Sequence, residues 1–334
     1  MTSSLISSNL FGIALLDPAI TGATQIHIVS GYASPAMVTR HLQELKKSQV
    51  SKFSIDLLVG MSGLDGVTRS SLAGFKAIPR QSGESHFSCH FTLPGKSIHS
   101  NIYVLSDDSG PLKAFTGSAN YTQLGFGLST YSESHFETLS EVDPLEAFNY
   151  VIALSGDAIS YTNPDIDRYI AINSEPVNFS AALESDLAGT AQITSIKTIV
   201  LPLVQTRQNA GQVHQRSGLN WGQRDGRDPN QAYIPIPSSI ARLGFFPSRG
   251  EHFQVLTDDN EAFICTVAQD GDKALETPND NSILGKYFRK RLNVALGSPI
   301  TREHLDAYGS TGVEIRKVDE GVFQLVFRAG ITGD

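Results

Sequence analysis

The 334 residues contain only two cysteines, Cys89 and Cys265, a single tryptophan and three methionines. Two cysteines cannot staple a fold or build a cysteine-rich zinc site. No apolar run approaches the ~18 residues that crossing a bilayer requires. Nor is there a basic excess: 26 Lys and Arg stand against 34 Asp and Glu, for a net charge of −8. The opening stretch, 1–23, carries no Lys or Arg ahead of its apolar residues, so a secretory signal is not expected. These absences exclude disulfide-scaffold, secreted and membrane classes and lead us to expect a cytoplasmic chain. The acidic balance does not favour a nucleic-acid partner, because neutralising phosphates supplies most of the affinity of such binders. It is unevenly spread, however. Residues 1–185 carry 10 basic and 17 acidic side chains, whereas residues 186–334 carry 16 and 17. The second part therefore has room for a local basic face.

Hydrophobic residues make up 40% of the chain and charged residues 18%, enough to bury real cores. The length predicts about two domains. The first part alternates strands and helices. Residues 25–31 and 53–60 are β-branched runs that read as buried strands, and 35–47 repeats apolar residues on one helical face at Met37, Val38, Leu42 and Leu45. A second helix is expected over 66–75, then strands over 86–93, 97–105, 112–116 and 135–142. Asp143, Pro144 and Glu146 form a helix start, with a capping side chain, proline in the first turn and an acid at the third position. Such alternation predicts an α/β domain. The second part reads differently, as short strands over 233–236, 252–256 and 262–267, helices over 281–292 and from Thr301 to a stop at Gly309, and a hairpin pairing 313–318 with 322–327. This predicts a small, mainly-β barrel with two helices. The boundary is expected between residues 173 and 194, with domains of 1–180 and 181–334.

Chemistry concentrates in 98–126. Residues two apart on a strand face one side, so His99 and Asn101 project together, as do Ser118 and Asn120 in the run Gly117-Ser118-Ala119-Asn120. If the two strands pair, a histidine, two amides and a hydroxyl converge, a set that suits an anion: donors fix its oxygens while the imidazole attacks or shuttles a proton. The plainer alternative is a histidine ending an ordinary strand beside an ordinary turn.

The residues HSN and GSAN, with His99, Asn101, Ser118 and Asn120, resemble the HxK…GSxN motif of the phospholipase D superfamily. SGYAS at 30–34, LLVGM at 57–61 and AFTGSANYTQLGF at 114–126 are similar to the phospholipase-D-type restriction endonucleases of the NgoFVII (NgoAVII-like) family. The resemblance extends to the second part, where 217–237, AQDGDKALETP and LGKYFRKRL look like that family's DNA-binding domain, a pseudobarrel of the plant B3 type. It implies a phospholipase D-like α/β nuclease and dimerisation domain followed by a B3-like reader of double-stranded DNA. The activity implied is that of a type II-like, sequence-specific restriction endonuclease of a restriction–modification system.

Carried over, His99 is the nucleophile that forms a phosphohistidine, Ser118 and Asn120 bind the non-bridging oxygens, and a following carboxylate orients His99. Glu137 is preferred for that last role over Glu133. No metal or other cofactor is implied for cleavage. One motif per chain implies a homodimer with a composite site. Family membership also implies a methyltransferase and a helicase-like subunit, the latter being the user of ATP. The family has lysine where this sequence has Asn101. Losing one preorganised donor or charge at such a site costs about 10²–10³ in rate, so Asn101 reads as an inactivating change in an otherwise intact site. The alternative is a dimeric DNA-binding protein without catalysis. The superfamily's usual aspartate is not in place, with Asp107 and Asp108 near its position but not on it.

In the second domain, Asn220, Trp221, Gln223, Arg224, Arg227 and Asp228 read as a flexible, donor-rich arm, and Gln269, Asp270, Asp272 and Lys273 as a second. Arginine suits guanine edges, amides suit adenine and carboxylates suit cytosine, so the acids lean toward a short GC-rich target. Solvated hairpin loops are the plain alternative, and Trp221 serves equally as an anchor for its arm. Arg289, with its neighbours to Arg291, is expected on phosphate. Of the other signals, His86, Cys89 and His90 do not form a zinc site if they lie on a strand, since alternation puts Cys89 on the face opposite the histidines. His27 reads as a core histidine.

Overall fold

A computed structural model describes residues 5–80, 82–129, 136–173, 198–207, 209–259, 261–319 and 321–333. The chain divides into two compact units, Met1–Leu187 and Ala188–Asp334.

The first unit is built on one eight-stranded sheet. Its strands are β1 (Leu5–Ile6), β2 (Gln25–Ser30), β3 (Ser54–Val59), β4 (Val67–Thr68, outside this sheet), β5 (His86–Thr92), β6 (Asn101–Asp107), β7 (Gly110–Gly117), β8 (Leu139–Val142) and β9 (Ala158–Ser160). They lie in the order β1-β8-β7-β6-β2-β3-β5-β9. The central β2, β3 and β5 are parallel, whereas β6 and β7 form an antiparallel hairpin alongside β2. β4 pairs instead with a short strand, β10 (Ile172–Asn173).

Helix α1 (Pro35–Lys47) starts where the Ser34 hydroxyl accepts the Met37 amide, and it buries Met37, Val38, His41, Leu42 and Leu45. Helix α2 (Arg69–Ala77) is capped by Thr68 through the Ser71 amide and lies slightly later than the periodicity suggested. These helices cover one face of the sheet, sealing Ile26, Ile28, Ile55, Leu57, Phe87, Phe91 and Tyr103. Helix α3 (Pro144–Leu154) begins at Asp143, whose carboxylate accepts the Glu146 amide at 2.9 Å, as the sequence predicts. It covers the opposite face over Val29, Leu58, Ile102, Val104 and Ala114. The result is a three-layer α/β domain.

The second unit curls a seven-stranded sheet into a nearly closed barrel. The strands β11 (Thr198–Pro202), β12 (Ile234–Pro235), β13 (His252–Thr257), β14 (Ala262–Ala268), β15 (Ala274–Glu276), β16 (Gly312–Asp319) and β17 (Val322–Val326) run in the order β11-β16-β17-β13-β14-β15-β12. The two outermost strands return toward each other. Two helices, α4 (Ser282–Arg291) and α5 (Arg302–Tyr308), pack on the core of Phe253, Phe263, Phe288, Phe323 and Phe327. Gly309 ends α5 in the left-handed conformation that its position predicts. Periodicity missed β11, β15 and the helical turns near residues 12–20. β15 is three residues long and β11 is an edge strand, both too short for a clear repeat.

Candidate active site and DNA interface

The pairing of β6 with β7 places Asn101 opposite Gly117. The ladder ends there, and His99 stands exposed two residues ahead of β6 rather than within it. Ile98 donates its amide to the Gly60 carbonyl at 2.9 Å, so this segment crosses the carboxyl end of β3. Gly31 and Gly60 make that crossing possible. A Cβ on Gly60 would collide with the Ile98 carbonyl oxygen, and one on Gly31 would lie 3.3 Å from the Asn120 amide oxygen and 3.6 Å from the Ile98 carbonyl oxygen. Outside the carboxyl ends of parallel strands is where open α/β sheets place their ligands.

The segments 30–34 and 118–121 are laced together. The Tyr32 amide donates to Asn120 Oδ1 at 3.0 Å, the Tyr121 amide donates to Ser30 Oγ at 2.9 Å, and the Ser34 amide donates to the Tyr121 carbonyl at 3.2 Å. Below them, the Tyr103 hydroxyl donates to the Ala119 carbonyl at 2.6 Å, and the Tyr121 hydroxyl sits 2.8 Å from His41 Nδ1. Burial raises the Tyr103 phenol far above its usual range; the Ser30 hydroxyl opposes this and the nearby Glu137 charge adds to it. Glu137 is thus near enough for its charge to act on Tyr103. It lies two residues ahead of β8, not on it as the sequence suggests, and is half-buried. Its rival Glu133 falls outside the described residues. Ser118 is exposed, and its hydroxyl accepts the Thr138 amide at 3.0 Å, which leaves its proton to donate. Asn120 spends its oxygen on Tyr32 and keeps its amide hydrogens for a ligand.

Asn101 does not share that freedom. It is 4% exposed. Its Oδ1 accepts the Ser30 hydroxyl at 2.8 Å and the Gly31 amide at 3.1 Å. Its Nδ2 faces the Ser118 carbonyl at 2.9 Å and the Gly117 carbonyl at 3.4 Å. Both ends of the amide are used within the protein, so the expectation that Asn101 touches a phosphate oxygen is corrected: it pins the end of β2 to the end of β7. Asp107 and Asp108 are also removed from the chemistry. They close the far end of the hairpin, where Asp107 accepts the Ser109 amide and hydroxyl. Six residues of strand separate them from the site, roughly 20 Å.

Beside the loop, the Tyr32 hydroxyl donates to Asp65 at 2.8 Å, and burial together with Asp65 raises its pKa to about 12. On β5, Cys89 is buried while His86 and His90 are exposed, the alternation expected of a strand. His27 packs against Phe148 and lies 3.5 Å from Asp56; burial lowers its pKa and Asp56 opposes the shift.

In the second unit, β12 pairs with β15, and the Ile236 amide donates to the Lys273 carbonyl. Because the pair is antiparallel, the loop after β14 lies beside the residues that follow β12, whereas the segment leading into β12 lies beside the far end of β15, where the Ala232 amide donates to the Asn281 carbonyl. The second arm is tight. Gln269 and Asp272 both take left-handed backbone angles (φ 65° and 56°), which non-glycine residues rarely adopt. They present Asp270, fully exposed and 3.2 Å from Arg249, beside the exposed Lys273. On the first arm, Arg227 lays its guanidinium 4.1 Å over the Trp221 ring, which itself packs edge-on against Tyr233. Arg224 is exposed and donates to the Arg216 carbonyl, and Asp228 caps its own turn through Asn230.

Four expected DNA contacts are otherwise engaged. Asn220 is buried and exchanges hydrogen bonds with Ile300 in both directions, at 2.7 and 2.8 Å. Gln223 donates to the Pro229 and Gly297 carbonyls. Arg289 is fully buried against backbone carbonyls, and Arg291 pairs with Asp258 at 2.7 Å and Asp259 at 3.1 Å. Asn220, Arg289 and Arg291, and the amide nitrogen of Gln223, are thus used within the protein.

Residues 8–168 match the model of the NgoFVII restriction endonuclease N-terminal PLD domain, and residues 191–319 match that of the NgoFVII C-terminal B3-like DNA-binding domain. The chain belongs to the NgoFVII restriction endonuclease family. Its two units are therefore a phospholipase D-like domain and a B3-like DNA-binding domain, as the sequence resemblance implies. Searching curated proteins returns no match. Among solved structures, NucT from Helicobacter pylori is 14% identical, with 48% of this chain and 98% of that one covered at a TM-score of 0.32. The phospholipase D family member Nuc from Salmonella typhimurium is 16% identical, covering 48% and 97% at 0.33. Polyphosphate kinase from Porphyromonas gingivalis is 17% identical, covering 55% and 28% at 0.32. No described helix is long and apolar enough to cross a membrane.

For this NgoFVII-family chain, reasoning from residue types missed Ser30, Tyr32, Tyr103, Tyr121 and Thr138. The signal was present, because SGYAS and AFTGSANYTQLGF both carried the family resemblance, and the structure shows the two segments bonded to each other.

Proposed function

We propose that the chain is a sequence-specific double-stranded DNA endonuclease acting through a phosphohistidine at His99. The observation that supports this reading is the crossing at Gly31, where an added Cβ would meet both the Asn120 amide oxygen and the carbonyl oxygen of Ile98, the residue before exposed His99. In the proposed reaction, an imidazole nitrogen of His99 attacks phosphorus and the bridging oxygen leaves, taking a proton from His99 of a second copy. Water then cleaves the phosphorus–nitrogen bond and restores the imidazole. Ser118 and Asn120 hold the non-bridging oxygens, Glu137 orients His99, and no metal takes part. Because one chain supplies one histidine, the working unit is a homodimer joined through the first domain. The two arms of the second domain read a short site, with Asp270 available to cytosine, Arg224 and Arg227 to guanine. A helicase-like ATPase and a methyltransferase complete the proposed system.

The buried amide of Asn101 favours a second reading, a DNA-binding protein with little or no turnover. No cation stands at the motif's lysine position, and the amide that replaces it is spent. The test is digestion of mixed-sequence plasmid in excess EDTA by the wild type, Asn101→Lys and His99→Ala, with and without ATP and candidate partners. Discrete fragments from Asn101→Lys, abolished when His99→Ala is added, support the nuclease. Sequence-specific retention without cutting by any form establishes the second reading.

A further inference from the structure

Among the described residues, the largest fully buried side chain is a cation, Arg289 on α4. Its hydrogen bonds go to backbone carbonyls: Nε to Ser298 at 2.8 Å, Nη1 to Gly285 at 3.2 Å and Asn230 at 3.3 Å, and Nη2 to Pro229 at 3.0 Å. Taking a guanidinium out of water is costly, and a position needing only core volume would be filled more stably by an apolar residue. Here the carbonyls of three segments converge on one planar fork. Two of them, Pro229 and Asn230, form the return leg of the first arm.

The same seam is reinforced on every side. Gln223 donates to the Pro229 and Gly297 carbonyls. Asn230 Oδ1 accepts the Gly297 amide at 2.7 Å. Asn220 ties the outgoing leg to Ile300. A Cβ on Gly285 would collide with the Asn230 carbonyl, and one on Gly222 with the Asp228 carbonyl. The arm is thus a built element, not the flexible loop that its composition suggests.

We infer that Arg289 is the positioning residue of DNA recognition: it fixes the 221–231 arm on α4 so that Arg224 and the Trp221-stacked Arg227 reach the groove already aligned. This rests on the proposal that the second unit reads DNA. Alignment matters for base edges, where geometry discriminates, and little for phosphates, which attract a loosely held cation almost as well. Loosening the arm therefore removes specific affinity and spares non-specific affinity.

The test uses the full chain. A preferred duplex is first selected from a random pool by the wild type. Binding of that duplex and of a shuffled one is then measured across a salt series for the wild type, Arg289→Met and Arg289→Lys. Arg289→Met is expected to lose roughly ten- to hundred-fold on the selected duplex, the cost of ordering the arm on binding. The shuffled duplex is expected to stay within about twofold with an unchanged salt slope. Arg289→Lys is expected to fall between, since a lysine ammonium cannot span the planar fork. Equal losses on both duplexes, or none on either, overturn the inference. Hydrogen exchange on the wild type asks the same question without a variant. The Gly222, Gln231 and Gly297 amides are expected to be protected in free protein and unchanged by DNA; exchange that slows only on DNA overturns the positioning role. A wild type that selects no duplex overturns the DNA-reading assignment itself, whereas specificity retained by folded Arg289→Met overturns only the role of Arg289.

Discussion

Replacing Asn101 by aspartate changes one nitrogen to oxygen and leaves the volume intact, yet the structure predicts a large, pH-dependent loss of stability. In the wild type, Nδ2 donates to the Ser118 carbonyl at 2.9 Å and, more weakly, to the Gly117 carbonyl at 3.4 Å. An ionised carboxylate there would turn an oxygen toward two carbonyl oxygens in a site that is 4% exposed. The lower-energy choice is to take up a proton, which restores one donor. At pH 7, protonating an aspartate of ordinary pKa costs about 4 kcal/mol, and the missing second donor adds about 1 kcal/mol. Partial solvation of the ionised form reduces the sum to about 3–5 kcal/mol. The sign follows from linkage. The folded-state pKa of the introduced acid is raised, so the folded state holds more protons above the unfolded value. The protonation part of the penalty is then nearly absent near pH 4, leaving only the lost donor, and it grows as pH rises. Urea unfolding of wild type and Asn101→Asp between pH 4.5 and 7.5, followed by far-UV circular dichroism, measures it. Trp221 lies in the second unit and is the chain's one tryptophan, so its fluorescence transition is an internal control expected to stay put. A difference that is flat with pH, or under about 1 kcal/mol at pH 7, refutes the view of Asn101 as a buried clamp.

Two further outcomes follow from the same region. Gly60→Ala puts a methyl group into the Ile98 carbonyl; displacing the segment that carries His99 should cost roughly 1–3 kcal/mol by thermal unfolding and reduce any cleavage activity by more than the stability change explains. His41 is fully buried, and burial lowers its pKa to about 4, with the Leu15 carbonyl close enough to oppose the shift. Unfolded chains therefore bind the extra proton between about pH 6.5 and 4, so stability falls as pH drops through that window, by about 3 kcal/mol in all. His41→Gln, which keeps a partner for the Tyr121 hydroxyl, should flatten that part of the stability profile; an unchanged slope would show that His41 is protonated in the folded state.

The α/β order of the first unit was legible because its strands are continuous β-branched runs and its helices carry explicit caps. Ser34 before Pro35, and Asp143 before Pro144, cap as their types predict. The barrel was legible in outline only. Its closing pair β16 and β17 announces itself through a turn, but β15 spans three residues and takes its place from its partners rather than from its own pattern. At the site, the grouping of His99, Ser118 and Asn120 could be read from the motif, although His99 lies outside the β6–β7 ladder on which their convergence was argued. The orientation of Asn101 could not. It depends on how closely 30–31 approaches 117–118, segments joined only through the tertiary fold.

Asn101, Asn220, Gln223 and Arg289 share one cause of misreading. A phosphate or a base edge calls for side chains rich in donors, and so does any place where backbone carbonyls converge without strand partners. Composition cannot separate the two uses, since in both a buried polar group must find its complement. A neighbouring glycine can. Gly31 abuts the Asn101 clamp; Gly222 and Gly285 flank the seam closed by Gln223 and Arg289, and at each of the three a Cβ would press on another segment. Where two backbones meet this closely, a donor aimed into the crossing is spent inside the protein. Arg224, Arg227, Asp270 and Lys273 stand away from such crossings and remain exposed. In the proposed reading, these four are the second-domain side chains left to meet DNA.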